Sequence, residues 1–245
     1  MLNGFWKLTW VETKVFMREP MGLVATLAMP VIIFLVLGRS LRIGQPETTS
    51  VAQVPFNVAI LAALLIAFSA VMSLVVIISI YREGGILKRL RATPLSPVTI
   101  LSAHVFVKLV FTVASLGLVV LAGRQFLPGA MDVHLPSFTA ALLLSTLSIL
   151  SLGFVIASLV PTSRFARPIT AGFLWPMILV SLVPIEQLPP PLRVVSYGLP
   201  TTHSVLLMEG IWDGSGWGAH WVNVGALILV FAVCTGISTK VFRWE

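Results

Sequence analysis

Residues 54–80 run almost without interruption through apolar side chains. Wound as a helix, that run reaches about 40 Å, more than the ~30 Å of hydrocarbon in a bilayer. A chain built around such a segment must either bury it completely or pass it through lipid. Composition decides between these. Of 245 residues, 57% are hydrophobic and 10% are charged, whereas a soluble domain carries about 25% charged residues. The expected class is an all-α polytopic membrane protein, because backbone polar groups in lipid must be satisfied within the segment.

Six spans follow from the apolar runs, at about 21–38, 54–80, 98–122, 137–160, 168–185 and 221–239. With six spans the two termini share one side. That side holds Lys7, Lys14, Arg18, Arg82, Lys88, Arg89, Arg91, Arg164, Arg167, Lys240 and Arg243; the other holds Arg39, Arg42, Arg124 and Arg193. The excess of cations places both termini and the 81–97 loop in the cytoplasm of a multi-pass protein of the cell (plasma or inner) membrane. The net charge of +7 thus reflects topology and contact with an anionic lipid bilayer, not nucleic acid. The first apolar run is of span length and lacks a small-residue cleavage site, so it is expected to stay as a span. Cys234, the single cysteine, is read as a packing residue of the last span.

Residues 1–20 are too charged to span. As a helix they place Leu2, Phe5, Trp6 and Phe16 on one side, with Asn3, Lys7, Lys14 and Arg18 on another. This fits a helix lying in the cytoplasmic interface, broken by Pro20 before the first span. Pro30 and Pro176 fall inside spans, where each can kink the helix. Residues 186–220 contain apolar pieces too short to cross and suit re-entrant or interfacial helices on the outer side. Trp212, Trp217 and Trp221 are expected at the outer headgroup level.

The loop after the second span is the richest local signal. It reads Arg82, Glu83, Gly84, Gly85, Ile86, Leu87, Lys88, Arg89, Leu90, Arg91, Ala92, Thr93, Pro94. Gly84-Gly85 permits a sharp exit from the span. Ile86, Leu87 and Leu90 share a face if 83–92 is helical, with Lys88, Arg89 and Arg91 turned away. Pro94 ends that helix and Pro97 opens the next element. An anchor by positive charge would need only the cations. The glycines, the apolar face and the proline stop describe a contact element.

Chemistry of the chain's own is hard to find. The sequence has no phosphate-binding Gly-x-x-x-x-Gly-Lys-Ser/Thr loop, no His-Glu-x-x-His pair and no Gly-x-Ser-x-Gly elbow. No cofactor or metal is expected on this chain, and no catalytic residue. Lys108 is the one charged side chain well inside a span, with His104 a turn before it and Thr112 and Ser115 continuing the stripe. Such a stripe either lines a substrate path or subunit seam, or lets Lys108 snorkel or bond to a neighbouring helix. An autonomous channel or secondary carrier would need carboxylates at the midplane, and the nine Asp and Glu residues fall in tails and loops of this topology.

With these residues in view, the chain resembles the membrane subunit of ABC-2 type exporters, bacterial permeases related in fold to the ABCG-type, or type V, half-transporters. The stretch from Arg82 to Pro97 is similar to the family's Arg-Glu-x-Gly-Thr-Leu, two residues, Leu-x-x-x-Pro pattern, with Ile86 where the family often has Thr. Leu199-Pro200-Thr201-Thr202-His203 is similar to the segment before the family's last span; further on, where the family often has a basic residue, this chain has Glu209. The resemblance implies one ABC-2 type transmembrane domain over 1–245. It implies that the 81–94 loop is a coupling helix seated in a separately encoded ABC ATPase. Two permeases would pair with two ATPases, ATP and Mg would bind the partner subunit, and the substrate path would lie at the permease seam. An amphipathic drug, antibiotic or lipid-like cargo suits the apolar spans. A polysaccharide or teichoic-acid exporter is the alternative.

Overall fold

A computed structural model describes residues 2–18, 20–43, 58–85, 97–126, 134–160 and 162–241. Among them the regular structure is helical throughout. Helix α1 spans Leu2–Met17 and α2 spans Pro20–Leu23; a π-turn at Val24–Ala28 joins α2 to α3, Met29–Ile43. Then come α4 (Val58–Glu83), α5 (Pro97–Phe126), α6 (Leu135–Leu159) and α7 (Ser163–Leu182). Three short helices follow: α8 (Pro190–Ser196), α9 (Pro200–Trp212) and α10 (Gly216–Ala219). The last is α11, Trp221–Val241.

Five helices are long and apolar enough to cross a membrane, within α4, α5, α6, α7 and α11. The expected span at 21–38 is helical from Pro20 to Ile43, but its described apolar stretch, Val24–Val36, is shorter than the other five. Pro30 marks where the helix is disturbed. The Met29 N–H reaches back to the Val24 carbonyl, one residue further than in an α-helix. Pro30 has no N–H to offer the Thr26 carbonyl, and the Ser115 hydroxyl of α5 donates to that carbonyl instead, at 2.8 Å. The Thr26 hydroxyl bonds Ser69 of α4, also at 2.8 Å. The π-turn is thereby tied to two neighbouring helices.

The fifth span starts earlier than the sequence suggests. Apolarity begins at Pro168, but α7 begins at Ser163 and carries Arg164 and Arg167 in its first turns. Hydropathy stops at charges, whereas the helix continues until its terminal N–H groups find a partner.

Packing is centred on α6, the most enclosed of the spans, while α11 is the least. Gly153 of α6 faces Val71 of α4 so closely that a Cβ there would lie 2.9 Å from Val71 Cγ1. Small residues at such a crossing let two backbones approach. Ser148 of α6 donates to the Leu227 carbonyl of α11 at 3.0 Å. One apolar cluster surrounds Leu74, Ile149 and Leu174; a second, nearer α9, surrounds Leu64, Phe138 and Leu207.

Two ends of the bundle result. One holds α1, the end of α4 and the α6–α7 corner. The other holds α8, α9 and α10. Helix α1 differs from the amphipathic reading in one respect. Phe16, expected toward lipid with Trp6, is buried against Phe111 at a centroid distance of 4.4 Å, while Trp6 and Trp10 are exposed. The inward face is Thr9, Glu12 and Phe16, a three-and-four spacing that turns toward α5.

Candidate functional site

Helix α4 ends where the motif begins. Gly85 has φ +64° and makes a turn with its N–H on the Arg82 carbonyl at 3.1 Å, a left-handed helix ending that favours glycine. The Arg82 guanidinium reaches the carbonyls of Ala157 and Val160 at the end of α6. The Glu83 carboxylate accepts the Ser163 N–H at the start of α7, at 2.9 Å. Ile86, Leu87, Lys88, Arg89, Leu90, Arg91 and Pro94 lie outside the described residues. Arg82, Glu83, Gly84 and Gly85 are therefore the part of the expected coupling element that the structure places, and both of its charged side chains are bonded within the chain.

The α5 stripe is brought together as the spacing suggests. His104, Lys108, Thr112 and Ser115 are all buried. Lys108 Nζ is 2.5 Å from Ser73 Oγ of α4 and 4.0 Å from the Phe16 ring centroid, a cation–π distance. His104 Nδ1 lies 3.1 Å from Glu12 Oε2, and the Tyr81 hydroxyl donates to Glu12 Oε1 at 3.0 Å. His104 Nε2 and Thr112 Oγ1 have no hydrogen-bond partner among the described residues. Glu12 thus joins α1 to α4 and α5. Burial raises its carboxyl above the usual carboxylate range, against the opposing pull of the Tyr81 hydroxyl and the Lys108 charge.

Glu12 is missed in the sequence because it lies in a charged segment read as an interfacial tail, outside the spans. The available signal was that Thr9, Glu12 and Phe16 share one side of the helix while the cations lie elsewhere.

A cavity of about 450 Å³ opens beside this cluster, walled by α1, α2–α3, α4, α5 and α7. Its wall is mostly apolar, including Phe16, Phe68, Met72 and Trp175, with Glu12, His104 and Lys108 at its polar side. Buried charge beside an apolar wall is the arrangement that orients an amphipathic guest. No group of three or more His, Cys, Asp or Glu side chains converges as a metal site among the described residues.

The sequence profile of the ABC-2 type transporter family matches residues 3–211, which takes in α1, the α4 ending, the α5 stripe and nearly all of α9. The chain belongs to the ABC-2 type transporter family. No curated protein matches the chain closely enough to add to this. As an ABC-2 type transporter it is a multi-pass membrane protein and the permease component of an ABC transport system.

The second family-like segment of this ABC-2 permease also takes a definite place. Pro200 opens α9, and Thr201 and Thr202 bond Ser181 of α7 at 2.6 and 3.0 Å. His203 bonds Asn223 of α11 at 2.9 Å and the Tyr197 carbonyl at 3.0 Å. His220 bonds Ser215 and Asn223 at 2.9 and 3.1 Å. Trp212 packs edge-on to Phe138, so it belongs partly to the bundle, while Trp221 is exposed.

Proposed function

We propose that this chain is the membrane-spanning permease of an ATP-driven exporter of amphipathic molecules, whose energy comes from a separate ABC ATPase docked at the 81–97 loop. The observation that carries the reading is the position of the cavity. It sits between the helices that flank the loop, α4 and α5, with an apolar wall and a polar side made by Lys108, His104 and Glu12. A guest with an apolar body and a hydrogen-bonding or anionic group would satisfy both surfaces.

The termini and the loop would face the cytoplasm, in the plasma or inner membrane. Two permeases and two ATPases would assemble, with ATP and Mg on the partner chain and none on this one. Closure of the ATPases would displace the loop, and the apolar face of Ile86, Leu87 and Leu90 would carry the load. Since a ligand shifts an equilibrium only by its differential affinity for two states, ATP would act by favouring the arrangement that opens the cavity outward.

The test is reconstitution in lipid vesicles with the ABC ATPase proposed as its partner. Amphipathic candidates should stimulate hydrolysis and accumulate on the far side, and Leu87→Asp with Leu90→Asp should abolish both. Lys108→Leu should weaken stimulation by anionic amphiphiles most. Vectorial movement by the purified permease with no ATPase present would refute the exporter reading.

A further inference from the structure

We infer that Arg82 and Glu83 form an internal latch that makes the α6–α7 corner move with the end of α4, and that they are not docking contacts for the ATPase. The inference rests on the coupling role proposed for the loop that follows them.

The chemistry is one of matched polarity. The last carbonyls of a helix have no partner within it and carry the negative end of the dipole; the first N–H groups carry the positive end. Helix α6 ends at Leu159, and the cation of Arg82 takes the carbonyls of Ala157 and Val160 there. Helix α7 begins at Ser163 after Thr162, whose side chain makes no capping bond. The anion of Glu83 takes the Ser163 N–H in its place. Two consecutive residues of opposite charge on one helix therefore close two consecutive helix ends of opposite polarity on the other pair. Each group is engaged inside the chain, in the orientation its charge requires.

Position gives the latch its role. Arg82 and Glu83 precede the turn at Gly84-Gly85, so α4 stays helical up to the latch and the loop starts directly after it. A displacement of the loop meets the latch first. From there it passes into α6 and α7, neither of which is connected to the loop through the chain except by way of α5. Helix α7 carries Trp175, which packs on Phe68 of α4 at 5.0 Å and lines the cavity. The latch thus connects the loop to the cavity wall. Arg82 and Glu83 act through other residues, as positioning residues.

The experiment uses the permease in complex with its ATPase in lipid nanodiscs. Four permeases are compared in a Cys234→Ser background: unmodified, Glu83→Ala, Glu83→Gln, and Glu83→Cys with Ser163→Cys. The latch predicts that Glu83→Ala keeps the ATPase bound at the unmodified stoichiometry while ligand-stimulated hydrolysis drops by about fivefold or more. The double-cysteine permease should behave like Glu83→Ala when reduced and regain stimulation when oxidised, because a disulfide replaces the lost contact. Glu83→Gln, which keeps an oxygen for the Ser163 N–H, should lose less than Glu83→Ala. Loss of the ATPase from the Glu83→Ala complex would make Glu83 a docking contact and overturn the latch with the exporter reading intact. Full stimulation by Glu83→Ala would overturn it as well. An unmodified permease that binds no ATPase would instead overturn the exporter reading itself.

Discussion

The Ser115 hydroxyl lies 2.8 Å from the Thr26 carbonyl, the one to which Pro30 has no N–H to offer. A proline inside a membrane helix is tolerated when a neighbour fills the gap, and here the neighbour is a single side chain on α5. Ser115→Ala should cost about 1–3 kcal/mol, the penalty of an unsatisfied buried polar group. Pro30→Ala supplies a new N–H in the same region, so the double variant should lose less than the sum of the two singles. Thermal unfolding in detergent across the four proteins of that cycle measures the coupling.

Glu12 is the carboxylate through which α1 holds α4 and α5, by way of Tyr81 and His104. Glu12→Ala should destabilise the protein by about 1–3 kcal/mol, because buried His104 and half-buried Tyr81 both lose a partner. Glu12→Gln keeps an oxygen for the Tyr81 hydroxyl and should fall between the two. Limited proteolysis at α1 reads the effect directly: the alanine variant should be cut faster there, and equal rates would show that α1 is held by its aromatic contacts alone.

Gly153 allows α6 to approach α4 at Val71, which is fully buried. Gly153→Ala places a methyl group 2.9 Å from Val71 Cγ1, an overpacking that costs about 1–3 kcal/mol. Val71→Ala in the same protein makes room, and the pair should be more stable than Gly153→Ala alone. A double variant less stable than either single would rule out this contact as the source of strain.

Glu209 gives the pH dependence of the opposite end. Burial raises its carboxyl, the neighbouring charges of Asp213 and Glu186 raise it further, and His220 pulls it back. An acid raised by folding is held protonated more tightly in the folded state than in the unfolded one. Its contribution is therefore most favourable below the unfolded value near 4.5 and is lost as pH rises through the folded value. Glu209→Gln should have the higher melting temperature at neutral pH, and the two curves should converge as pH falls toward 4.5. Curves that stay parallel over that range would show that Glu209 ionises without cost.

Much of this was legible in one dimension. The membrane class and five of the six expected spans follow from the length of apolar runs, since the thickness of a bilayer is a length that sequence can be counted against. Gly84-Gly85 announces the turn that Gly85 makes, and Pro30 announces a disturbed helix. His104, Lys108, Thr112 and Ser115 recur at helical spacing and are buried together. Apolar counting misplaced the start of α7 because Arg164 and Arg167 look like loop until Ser163 is seen to be capped by Glu83.

What the sequence determined by itself, then, was the membrane class, the family-like loop and the polar stripe, because each depends on residue type and spacing along a single segment. Tertiary structure decided what those residues touch. The partners of Arg82, Glu83 and Ser115 are main-chain carbonyls and an N–H, groups that every residue but proline carries alike and that no side chain announces. Glu12 reads the same in a sequence whether it faces water or Tyr81 and His104. Only the packing of α1 against α4 and α5 settles which it does, because burial is a property of the surroundings and not of the residue.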